Sequence, residues 1–69
     1  MNMDWIAGSV ISVTIRGQEV TLSANREGLL SLAGQLMVLS EGMPGDHIHY
    51  DEYNSLEEGS PDLIIEKVP

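Results

Sequence analysis

The sequence predicts an α+β fold in the order ββαββ, with one helix packed on one face of a mainly antiparallel four-stranded sheet. Three observations lead there. Val10 to Ser23 alternates apolar and polar side chains on either side of Gly17-Gln18. Leucines then recur at helical spacing from Leu29 to Leu39, and two later runs, Asp46 to Asp51 and Leu63 to Val68, have strand composition. A chain of 69 residues without repeats or a composition break suits a single small domain over 1–69.

In the first hairpin Ile11, Val13 and Ile15 point one way, and Ser12, Thr14 and Arg16 the other. Glycine at the first position of a two-residue loop favours a type II′ turn. Closing the loop at Arg16 and Glu19 sets the register of the second strand, Glu19 to Ser23. Ile15 then faces Val20, Thr14 faces Thr21, Val13 faces Leu22 and Ser12 faces Ser23. Every pair joins like chemistry, and the pair at the loop joins opposite charges; a slip of one residue would destroy that match.

Ser23 or Asn25 can cap a helix, because either side chain can accept from its first free N–H groups. Leu29, Leu32, Ala33, Leu36 and Leu39 mark its apolar face, widened by Leu30 and Met37, and that face should cover the hairpin. Glycine inside a helix costs about 1 kcal/mol, so Gly34 is expected to allow close contact with the sheet. Gly42 is expected to end the helix before a turn at Met43-Pro44-Gly45.

The third strand carries Ile48 and Tyr50 on one face and His47, His49 and Asp51 on the other. Glu52 to Asp62 reads as a polar, exposed loop, with Ser60 in a Gly59-Ser60-Pro61 turn. The last strand is apolar at Leu63, Ile64 and Ile65, which leaves its facing open; Leu63 and Ile65 are placed inward. One helix covers one face of such a sheet, leaving Ser12, Thr14, Thr21, Ser23, His47, His49, Asp51, Ile64 and Glu66 open to a partner or a second copy. Trp5 is expected on the sheet edge or a helix end, and Tyr53 is a candidate interface anchor.

Charge separates the chain into halves. Residues 1–40 hold Asp4, Glu19 and Glu27 against Arg16 and Arg26, a net of −1. Residues 41–69 hold eight carboxylates against Lys67, a net of −7. Such a half repels nucleic acid and anionic membranes and attracts a basic protein. With no cysteine, disulfides and thiolate metal sites are excluded. No stretch approaches the ~20 apolar residues of a membrane span. The opening Met1-Asn2-Met3-Asp4-Trp5 lacks the features of a secretory leader, so a cytoplasmic location is expected.

His47 and His49, two residues apart on a strand, project to one side as some metal sites require, and Asp51 extends the row. A further ligand is not evident, so neither metal nor cofactor is assigned. There is no nucleophile with a base in sequence context and no phosphate-binding glycine loop, so no catalytic residue is assigned.

Four stretches resemble immunity protein 32, a family of small bacterial immunity proteins assigned to polymorphic-toxin systems. They are Asn25-Arg26-Glu27-Gly28-Leu29-Leu30, His47-Ile48-His49-Tyr50-Asp51, Leu56-Glu57-Glu58-Gly59-Ser60 and Leu63-Ile64-Ile65-Glu66. The resemblance spans roughly residues 10–68, and it implies a non-catalytic protein that neutralises a cognate toxin by direct contact. A basic toxin would meet the acidic half, with Asp51, Glu52, Tyr53, Glu57 and Glu58 as contact residues and His47 and His49 beside them. The alternatives are a homodimeric structural or regulatory domain and a small metal-binding protein using His47 and His49.

Overall fold

A computed structural model of the chain describes residues 4–69. The reading of Met1, Asn2 and Met3 as a start without a leader lies outside the described residues. The elements are β1 (Ile11–Arg16), β2 (Glu19–Ala24), α1 (Arg26–Ser40), β3 (His47–Tyr50) and β4 (Leu63–Glu66). The order ββαββ is as expected, but the strands form two antiparallel two-stranded sheets, β1-β2 and β3-β4, in place of one four-stranded sheet.

The cause lies at the free edge of β1. Ile11 O accepts from Glu57 N at 2.8 Å, and Val13 N donates to Ser60 Oγ at 3.0 Å. The loop before β4 therefore satisfies the backbone groups that a third strand would have used. That loop was expected to be exposed throughout; instead Leu56 and Ser60 are buried.

Within β1-β2 the register pairs Ile15 with Val20, Thr14 with Thr21, Val13 with Leu22 and Ser12 with Ser23, as the sequence predicts. Gly17 has φ 58°, while Gln18 keeps a negative φ, which selects the II′ form over I′. In β3-β4, Ile48 pairs with Ile65 and Tyr50 with Leu63. Leu63 and Ile65 face inward, and Ile64 is exposed. Lys67 N and Gly45 N extend this ladder to Asp46 O and Lys67 O.

Asn25 is the N-cap of α1. Its Oδ1 accepts from Gly28 N and from Val10 N, and its Nδ2 donates to Gly8 O. One side chain thus starts the helix and holds both to the entry of β1. At the other end α1 has no basic residue in its last turn. Lys67 supplies that charge from beyond β4, donating through Nζ to Ser40 O and Gly42 O. Gly42 follows the helix without a positive φ. Its small size matters for another reason, because a Cβ there would lie 2.6 Å from Asp46 Oδ2.

The buried face of α1 is Gly28, Ser31, Leu32, Gln35 and Leu39. Only Leu32 and Leu39 of the expected apolar face belong to it, and Leu29, Leu30, Leu36 and Met37 are exposed. The helix is turned toward its polar flank because residues 4–9 dock there. Ile6 N donates to Ser31 Oγ at 2.9 Å, and Gln35 Nε2 donates to Asp4 O at 2.9 Å. Close approach to the hairpin is made by Gly28, where a Cβ would sit 2.8 Å from Ile11 Cγ1. At Gly34, where that contact was expected, a Cβ would meet nothing within 4 Å.

The core comprises Ile11, Val13, Leu32, Leu39, Ile48, Tyr50 and Leu56, with Trp5, Ala24, Leu63 and Ile65 packed against it. Trp5 meets the Tyr50 ring edge-on at a centroid distance of 6.0 Å. Among the described residues every buried side-chain nitrogen and oxygen has a hydrogen-bond partner.

Candidate functional site

Strand alternation sends Ile48 and Tyr50 into the core and leaves His47 and His49 on the outer face of β3-β4 with Ile64 and Glu66. Glu66 lies opposite His47 and Ile64 opposite His49. His49 Nε2 lies 2.9 Å from Asp62 Oδ2, with both side chains largely in solvent. Asp62 was not among the residues singled out by sequence. It stands 13 positions from His49, and only the fold brings the two together.

β3 runs into a turn at residues 52–55 built on Asp51. Its Oδ1 accepts from Tyr53 N and Asn54 N, and its carbonyl accepts from Asn54, Ser55 and Leu56. Asn54 Oδ1 accepts in return from Asp51 N, and Asn54 Nδ2 donates to His49 O. Asp51 therefore shapes the loop rather than extending a row of ligands beside His47 and His49. Glu52 Oε2 accepts from Gly59 N at 2.9 Å, drawing the two ends of the loop together. Gly59 itself has φ 89°, so the donor of this bond sits on a turn that favours glycine.

What the turn presents is Tyr53. The residue is 98% exposed, its backbone fixed and its ring, among the described residues, left in solvent. Glu57 and Glu58 follow on the same loop, both exposed, while the Glu57 backbone is anchored to Ile11. The structure thus gathers Glu52, Tyr53, Glu57 and Glu58 on one loop. His47 and His49 stand on the neighbouring sheet face. Among the described residues no cluster of three or more His, Cys, Asp or Glu has metal-binding geometry.

Two features were not legible beforehand. Ser60, read as a turn residue, is buried and clamps β1. Gln35, on the buried face of α1 between Leu32 and Leu39, accepts from Tyr50 OH at 2.8 Å. Burial pushes the Tyr50 hydroxyl above its ordinary pKa, so it stays a donor across the neutral range. A cleft of about 260 Å³ also opens beside α1, lined by Trp5, Ile6, Leu30, Gly34, Gln35 and Val38 among others.

The sequence pattern of Immunity protein 32 matches residues 19–68, from β2 to beyond β4. The chain belongs to the immunity protein 32 family. Membership gives this immunity protein a toxin-neutralising, protein-binding role in outline. It covers the whole loop from Asp51 to Asp62 and both strands that flank it. No curated protein and no solved structure matches the chain. Among the described residues no helix is long and apolar enough to cross a membrane.

Proposed function

We propose that this immunity protein neutralises its cognate toxin in the cytoplasm, without catalysis, by seating the loop 52–58 against a basic surface of the toxin. The observation that carries the location is Tyr53, an aromatic side chain almost wholly in water on a backbone fixed by Asp51. Folding gains nothing from its exposure, whereas tyrosine with a rigid backbone loses little entropy on binding and is enriched at binding hot spots.

Around it, Glu52, Glu57 and Glu58 supply negative charge that would steer a basic partner and occupy positions otherwise filled by phosphate groups of a nucleic-acid substrate. His47 and His49 would lie at the rim of the contact. Asp51 contributes by holding the loop in shape. Purified toxin binding to the Glu57→Lys, Glu58→Lys double variant tests this reading. Association should slow at least ~10-fold and lose most of its salt dependence, because steering acts on the on-rate. Unchanged kinetics would place the contact elsewhere.

A further inference from the structure

We propose that two copies of this chain pair through the outer edges of β2, joining their hairpins into one continuous four-stranded antiparallel sheet with both helices on one face. In a two-residue hairpin the pair closing the loop is hydrogen-bonded, so Ser12, Thr14 and Arg16 bond to Ser23, Thr21 and Glu19. The alternate residues then point their backbone groups outward. On β1 this parity is visible, since Ile11 O and Val13 N bond outward to the loop. On β2 the outward groups belong to Val20, Leu22 and Ala24, and among the described residues no other segment bonds to them. This edge is six residues long, with no proline, lysine or bulge to discourage pairing.

The side-chain face at this edge is equally incomplete. Ile11 and Val13 are buried beneath α1, but cover fails toward the hairpin tip, where Ile15 is 58% and Val20 62% exposed. Residues 4–9 dock along one flank of α1, through Ser31 and Gln35. Leu29 and Leu36, two turns apart, are exposed on the remaining flank at 54% and 41%. A two-fold axis at Leu22 sets it against its own copy and Val20 against Ala24, apolar to apolar. The second helix then completes the cover that one helix cannot give.

Charge selects a second copy as the occupant. Residues 11–40 contain Arg16 and Arg26 against Glu19 and Glu27, a net of zero, whereas residues 41–69 carry −7. Two chains of net charge −8 therefore meet here without setting like charges in excess at the contact, and a basic toxin is drawn to the other half.

Light scattering and sedimentation of the full chain from micromolar to millimolar concentration test it. Twice the chain mass is expected at micromolar concentration. Leu22→Lys sets two ammonium groups face to face at the axis and should weaken self-association at least ~100-fold. Val20→Lys, at a position exposed in the single copy, should weaken it as well with an unchanged circular dichroism spectrum, and it decides the matter should Leu22→Lys fail to fold. A wild-type chain that stays monomeric at millimolar concentration, or a dimer that survives Val20→Lys, overturns the proposal.

Discussion

Ser60 Oγ accepts the Val13 N–H at 3.0 Å across 47 residues of sequence, inside the core. This contact fastens the loop to β1 at the point where a neighbouring strand would otherwise pair. It couples the shape of the exposed segment 52–58 to the stability of the first hairpin.

Replacing Ser60 by alanine leaves the buried Val13 N–H without a partner. Unsatisfied buried donors cost about 1–3 kcal/mol, so Ser60→Ala should lower the urea midpoint by a corresponding amount. Amide exchange should accelerate at Glu57 as the second tether of the loop loosens. Wild-type stability in the variant would show that the bond contributes little.

Tyr50→Phe keeps the ring against Trp5 but strands Gln35 Oε1, which lies in a residue only 2% exposed. A loss of about 1–3 kcal/mol is expected at neutral pH. The pH dependence has a definite sign. Because burial raises the Tyr50 pKa, the folded state holds its proton more tightly than the unfolded chain. Stability is unaffected by this group below pH 10 and falls as the pH rises above that ordinary value. Tyr50→Phe should flatten that alkaline fall, which denaturation at a series of pH values would show.

The two helical glycines should respond in opposite directions. Gly34→Ala meets open space and removes a helix penalty, so a gain of about 0.5–1 kcal/mol is expected. Gly28→Ala drives a Cβ to 2.8 Å from Ile11 Cγ1 and 3.0 Å from Val10 O, and should cost about 1–3 kcal/mol. Thermal melts of both variants check the pair together. Equal shifts would mean that the helix does not press on β1 at Gly28.

The first hairpin was legible because period-two alternation, a Gly-first loop and matched cross-strand pairs all agreed on one register. Alternation did not fix the facing of the last strand, because Leu63, Ile64 and Ile65 are all apolar; its pairing with β3 turns Leu63 and Ile65 inward. The rest failed for definable reasons. Leucine spacing located α1 but not its rotation, because Ser31 and Gln35 face inward to bond residues 4–9 and Tyr50, and polar burial leaves no hydrophobic signature. The single sheet was wrong because a side chain, Ser60 Oγ, substitutes for a strand at the β1 edge. Leu56 was the available clue that the loop enters the core, being an isolated apolar residue in a polar run. At the site, exposure of Tyr53 and the glutamates was foreseeable from composition. The loop-building role of Asp51 and the His49–Asp62 contact depend on the turn geometry that follows β3.

The most direct test compares affinity-tagged wild-type chain with a Tyr53→Ala, Glu57→Lys, Glu58→Lys variant in lysate of the producing cells, at moderate salt. All three side chains are exposed, so the variant should fold as the wild type does. One stoichiometric basic protein should be retained by the wild type and lost by the variant. That protein should be toxic when expressed alone and harmless beside the wild-type chain. Equal retention by both forms would remove loop 52–58 from the contact.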